Sequence, residues 1–351
     1  MFLKYAFLVL FMAVMIGVGL YSRRKITGVQ DFLLGGRNMG PWISAFAYGT
    51  TYFSAVIFIG YAGKSGWGFG LSATWIGIGN AIIGSLLAWL VLAKRTRKMT
   101  HELNASTMPE FFEKRYDSKA MKIVTAIIIF VFLVPYSASV YQGLSYLFER
   151  AFGISFVYSM IAMAVLTAIY LLLGGYIATA INNFIQGIIM IAGIIMMIVF
   201  VLTNPAVGGL GEGIRKLSEI PSDGPGLVSI FSSQPLNLLA LIILTSLGTW
   251  GLPQMVHKFY TIKDDNAIKK ATIVSTLFAI LIGGGAYFIG AFGRIYLDNQ
   301  LPVVDGKANF DMIIPLMLEK SLPEVLMAVV IALVLSASMS TLSSLVLVSS
   351  S

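Results

Sequence analysis

The sequence predicts an all-α, polytopic membrane protein, and three observations carry that prediction. The 351 residues are 57% hydrophobic and only 11% charged, whereas soluble domains carry about 25% charged residues. Mean hydropathy is +0.85, more apolar surface than a soluble core of this size can hide. Apolar runs of roughly the 20 residues needed to cross a bilayer recur along the whole chain.

Nine such runs are predicted, at about 3–21, 42–62, 71–93, 120–148, 156–173, 177–203, 235–256, 271–297 and 324–351, all within one transmembrane domain, 1–351. The first is too long for a secretory signal, lacks a small-residue cleavage pattern and is followed directly by Arg23, Arg24 and Lys25, so it reads as a retained span. The second clusters Gly49, Thr50, Thr51, Tyr52 and Ser54 at its midpoint. Two readings fit: a broken helix whose freed carbonyls face protein, water or an ion, or a close helix contact through small residues. The sixth holds Thr179, Asn182, Asn183 and Gln186, amides that are costly in lipid and therefore face inward. The seventh carries Thr245, Ser246, Gly248, Thr249, Trp250, Gly251 and Pro253, the pattern of a discontinuous transporter helix or of a Pro-kinked packing helix. Gly283, Gly284, Gly285 and Gly290 in the eighth read as close packing without chemistry. The ninth is rich in hydroxyls: Ala337, Ser340, Thr341 and Ser344 fall on one face at about 100° per residue. It runs out at Ser349, Ser350 and Ser351 with no polar loop, so the chain is expected to end inside a helix.

Charge sets the topology. Sixteen of the 24 Lys and Arg residues fall in one alternate set of loops, around 23–37, 94–122 and 258–270. The positive-inside rule then places that side in the cytoplasm and the N-terminus outside, in a multi-pass protein of the plasma (inner) membrane. The net charge of +8 is thus a topology signal; nucleic-acid binding calls for one basic face with interleaved aromatics. All 16 acids, Asp223 and Asp305 among them, fall in loops or at span ends. His257 and Lys258 are expected in a cytoplasmic loop, so no buried Lys or Arg is expected to meet a substrate carboxylate. With no carboxylate in mid-membrane to relay protons, a coupling ion falls to hydroxyls and carbonyls, which suit a hard cation such as sodium. There is no cysteine, no Gly-rich phosphate loop and no convincing Ser/His/Asp set, so enzyme chemistry is not expected.

Four stretches carry a family resemblance: Phe32 to Gly40 ahead of the second span, Tyr52 to Gly60 within it, Thr107 to Tyr116 in the following loop, and Met339 to Ser343 in the last span. In this order and spacing, across nearly the whole chain, they resemble the sodium:solute symporter family, whose members carry proline, pantothenate, sugars and sialic acid. The resemblance implies a LeuT-type bundle of two inverted five-helix repeats after an extra first helix (1–22), with repeat one at 42–203 and an incomplete repeat two at 235–351, its final core helices lying beyond Ser351. It implies a sodium ion held by Ser340, Thr341 and the carbonyls of Ala337, Thr50 and Phe53. It implies a solute site at the midplane formed by Tyr52, Ser54, Val56, Tyr136, Thr245, Thr249, Trp250 and Pro253. One departure stands out. Asn183 takes the place of a family Asp that helps bind a second sodium, which puts the second site, with Ser343 and Ser344, in doubt; one sodium per cycle is expected. The mild chemistry of the solute site suits an amino acid such as proline, a small carboxylate such as pantothenate, or a sugar. A solute sensor or receptor built on the same membrane fold is the alternative function, and a passive channel a further one.

Overall fold

The computed structural model describes residues 2–221, 226–304 and 306–351; Asp223 and Asp305 lie outside them. The chain is almost entirely helical. In order come α1 (Phe2–Arg23), α2 (Val29–Leu34), α3 (Pro41–Tyr52), α4 (Ala62–Phe69), α5 (Thr74–Gly79), α6 (Lys94–Glu102), α7 (Met108–Tyr116), α8 (Lys119–Phe152) and α9 (Phe156–Thr203). They are followed by α10 (Leu210–Glu219), α11 (Pro235–Leu247), α12 (Pro253–Thr261), α13 (Asp265–Ala279), α14 (Gly285–Gly290), α15 (Gly293–Tyr296), α16 (Ile313–Ser321) and α17 (Glu324–Ser349). One short hairpin pairs Val303–Val304 with Lys307–Ala308.

By length and composition six helical runs among the described residues can cross a membrane, or seven with the bent pair α11–α12. The sequence divided the same chain into nine; with the bent pair counted, two glycine breaks account for the remaining difference. Two of the six runs, Val56–Glu102 and Val157–Thr203, are each 47 residues long. A straight helix of that length reaches about 70 Å, more than twice the roughly 30 Å hydrocarbon core. The first run is broken at Gly70 (φ 61°, ψ −140°) and the second at Gly175 (φ 49°, ψ −142°). Both conformations are open to glycine and strained for other residues. Gly175 falls between the predicted fifth and sixth spans.

Burial decides which helices are central. In α17, 89% of the apolar window is buried, against 17% in α8. The α8 face bearing Ile123, Ile127 and Phe130 is exposed, as a lipid-facing surface is. The hydroxyl helix α17 is instead enclosed by α1, α3, α8 and α9, so its Ser and Thr side chains meet protein.

Glycines set the closest approaches. A Cβ on Gly290 would lie 2.1 Å from the Ala62 carbonyl oxygen, and one on Gly77 would lie 2.4 Å from the Gly283 carbonyl carbon. Gly283 and Gly290 of the eighth predicted span therefore pack backbone against backbone. Gly290→Leu is expected to abolish the monodisperse protein seen by size exclusion in detergent. Gly284→Ala, whose added methyl meets nothing within 4 Å, is expected to leave it intact.

The three Lys/Arg-rich segments meet at one end of the bundle. Arg37 donates to the Ala105 carbonyl at 2.9 Å, and Arg97 donates to the Ile262 carbonyl at 2.9 Å and to that of Lys263. Met39 and Ile262 form a backbone bridge. In the same region Thr107 caps α7 by accepting from the Glu110 amide, and Asp264 caps α13 by accepting from the Ala267 amide, the expected use of these residues at helix starts.

Candidate functional site

The second span is broken where its Gly/Thr/Ser cluster falls. Helix α3 ends at Tyr52, and Phe53 is extended (φ −99°, ψ 91°). Helical backbone resumes as π-helical turns over Val56–Tyr61. The break leaves carbonyls of the last α3 turn without helical partners. They are taken up by α17. Ser340 Oγ donates to the Thr50 carbonyl at 2.9 Å and lies 3.0 Å from the Ala337 carbonyl. Thr341 Oγ1 lies 3.1 Å from the Ala337 carbonyl, 3.2 Å from that of Thr51 and 3.5 Å from that of Thr50.

Of the five predicted sodium-holding residues, Thr50, Ala337, Ser340 and Thr341 are thus brought together. The Phe53 carbonyl makes no hydrogen bond to this group, and the Thr51 carbonyl stands there instead. Thr50, Ala337, Ser340 and Thr341 are all fully buried, and Thr50 Oγ1 has no hydrogen-bond partner among the described residues. The Ser340 and Thr341 hydroxyls each have more than one carbonyl within reach of a single proton. Such a set of neutral, hard oxygens fits a monovalent hard cation; among the described residues no group of three acidic, His or Cys side chains offers a conventional metal cage.

The second doubtful site is differently furnished. Ser343 Oγ and Ser344 Oγ donate back to the Ser340 carbonyl at 3.1 and 3.0 Å, and Ser344 Oγ also meets Thr51 Oγ1 at 3.0 Å. Asn183 is fully buried, with both side-chain polar atoms unpartnered among the described residues. Its neighbours Asn182 and Gln186 reach the Met15 carbonyl and sulfur of α1, so those two amides serve helix packing.

Here the sequence-based placement of Lys258 needs correction. It is 1% exposed. Its Nζ donates to Ser344 Oγ at 2.9 Å and sits 5.2 Å from the centre of the Tyr176 ring. His257 is buried beside the same ring. The seventh span does not run straight out after Val256: it breaks over Gly248–Leu252, bends by 51°, and restarts at Pro253 so that α12 lies within the bundle.

Between the two breaks lies a cavity of about 370 Å³, within the roughly 300–1,000 Å³ range of small-molecule sites. Six of the eight predicted solute residues line it: Tyr52, Ser54, Val56, Tyr136, Thr245 and Thr249. Two do not. Trp250 turns away, its indole N–H donating to the Ile83 carbonyl at 2.9 Å, and Pro253 occupies the first turn of α12, where its missing N–H costs nothing. The lining residues that the sequence reading passed over include Thr51, Asn80, Gly248 and Tyr287. Asn80 had a signal, a lone amide in an apolar run; its Oδ1 accepts from Thr245 and Ser246 at 2.9 and 3.1 Å. Tyr52 closes the wall by donating to the Thr245 carbonyl at 2.9 Å. The lining is mostly apolar, with hydroxyls and one amide.

The family model for the sodium:solute symporter family matches residues 32–351. The chain belongs to the sodium:solute symporter family. Among curated relatives of this family, it is 30% identical over 341 residues to the osmoregulated proline transporter OpuE of Bacillus subtilis, covering 96% of this chain and 67% of that one. It is 28% identical to sodium/proline symporter 2 of Staphylococcus saprophyticus and 30% identical to the sodium/proline symporter of Staphylococcus aureus, covering 99% of this chain and 66% of each. The chain thus spans about two-thirds of the length of these relatives. A solved structure of a Na+-coupled sialic acid symporter in a substrate-bound, outward-open state superposes with a TM-score of 0.80 at 19% identity, covering 98% of this chain and 71% of that one. That likeness establishes the LeuT-type symporter fold for this family member.

Proposed function

We propose that this chain forms the membrane core of a sodium-coupled symporter that brings a small organic solute into the cell by alternating access. The observation that carries the reading is that ion site and solute cavity share one break. Thr51 lines the cavity, while its carbonyl meets Thr341 and its hydroxyl meets Ser344 of the ion face. Sodium bound to Ser340, Thr341 and the freed carbonyls ties α3 to α17 and so fixes the cavity wall. By linkage, solute tightens sodium by the same factor. Inward sodium movement is driven by its gradient and by the membrane potential, worth roughly 2.3 kcal/mol per charge at 100 mV.

An amino acid such as proline is the favoured solute. The cavity is small and mostly apolar with hydroxyl groups, and the relatives named above are proline transporters. One sodium per cycle is proposed, because the Asn183 amide offers a neutral oxygen where a carboxylate would complete a second site. The two broken helices open the proposed repeats at 42–203 and 235–351. Gathering of the basic segments at one end supports a cytoplasmic placement for that end, with the N-terminus outside, in the plasma membrane. The test is a panel of radiolabelled solutes, with proline, pantothenate and a hexose, taken up by proteoliposomes of the full-length protein. Saturable proline uptake that needs an inward sodium gradient is expected. Equal uptake without sodium points to a channel, and solute binding without uptake points to a sensor.

A further inference from the structure

The buried side chain of Lys258 has no role in the symport reading above. A lone buried cation is costly unless it is paired, yet among the described residues no carboxylate lies within ion-pair distance of it. Its partners are neutral: Ser344 Oγ at 2.9 Å and the face of Tyr176 at 5.2 Å, a ring that attracts cations through its quadrupole. Ser344 in turn meets Thr51 Oγ1 and the Ser340 carbonyl. Asn183 shares an α9 face with Tyr176. On α9 it lies seven residues after Tyr176 and four before Gly187, so the three share a helix face. Tyr176 holds the Lys258 ammonium, and a Cβ on Gly187 would touch Thr50 Cγ2 at 3.0 Å. Asn183 therefore lies along α9 between Tyr176, which holds the ammonium, and Gly187, which faces Thr50, with neither of its amide atoms engaged among the described residues.

We propose that the Lys258 ammonium is a built-in cation at the Asn183–Ser344 position, supplying from within the chain the positive charge that a second sodium would bring. The inference rests on the sodium-symport reading and deepens it. Asn183 and Lys258 then act as a matched pair. A neutral amide avoids drawing a mobile cation to a place already holding a fixed one, and the fixed charge repels any sodium that approaches Ser343 and Ser344. The ammonium also ties α12 to α17 through Ser344 and to α9 through Tyr176.

Equilibrium binding of radioactive sodium to the purified full-length protein tests this directly. The unaltered protein is expected to saturate at one sodium per polypeptide, and so are Lys258→Arg, which keeps the charge, and Asn183→Asp, whose carboxylate pairs with the lysine. The double variants Asn183→Asp/Lys258→Met and Asn183→Asp/Lys258→Gln are expected to saturate at two. The Gln version keeps a hydrogen-bond donor for Ser344 and so guards against loss of the fold. Saturation at one in both folded double variants overturns the proposal. Saturation at two in the unaltered protein also overturns it, together with the one-sodium reading. No sodium bound to the unaltered protein overturns the symport reading itself.

Discussion

Ser340→Ala and Thr341→Ala are each expected to raise the sodium concentration for half-maximal uptake by about tenfold or more. A hydrogen-bonding or ligating oxygen facing a charge contributes roughly 1.5–3 kcal/mol, and about 1.4 kcal/mol is a factor of ten in affinity. Both hydroxyls lie on the fully buried face of α17 against the freed Thr50 and Thr51 carbonyls. Alanine keeps helix propensity and leaves membrane insertion unchanged, so the deficit is expected in sodium dependence and not in the amount of folded protein. The double variant is expected to fall to sodium-independent background. Initial rates against sodium at fixed solute read the effect. An unchanged sodium curve in both single variants places the ion elsewhere.

Gly248→Trp is expected to abolish solute uptake while leaving sodium binding in place. Gly248 lines the cavity, and a Cβ there meets nothing within 4 Å, so the backbone accepts a side chain. An indole then takes up much of the roughly 370 Å³ space. Gly248→Ala is the matched control, expected to retain uptake with a KM changed by no more than a few-fold. Persistent uptake in Gly248→Trp with the parental KM means that the solute travels by another route.

Much of this arrangement was legible in the residues because membrane physics is local. Apolar runs mark spans, and the Gly175 break fell between two predicted ones because hydropathy dips there. The broken second span announced itself through Gly49 to Ser54, and the ion face through the helical spacing of Ala337, Ser340, Thr341 and Ser344. What was not legible depends on partners far along the chain. Hydropathy assigns Lys258 to a loop, since nothing near it in sequence compensates a buried ammonium; Ser344 and Tyr176 do so from 86 and 82 residues away. The exchange of Phe53 for Thr51 among the carbonyls reflects where the backbone leaves helical geometry, a matter of one residue's ψ. Trp250 was drawn toward the cavity by its place beside the break, but the Ile83 carbonyl offered its N–H a partner on the other side. Asn80 belongs to a different class: its amide was visible within an apolar run, and burial of a polar group of that kind calls for partners, here Thr245 and Ser246.

In the proposed mechanism sodium and solute cross together through the shared break of the second span. Radioactive sodium and labelled proline, measured entering the same proteoliposomes of the full-length protein, test it most directly. Proline is expected to stimulate sodium entry and sodium to stimulate proline entry, in a ratio near one to one. Proline entry with no accompanying sodium would contradict it.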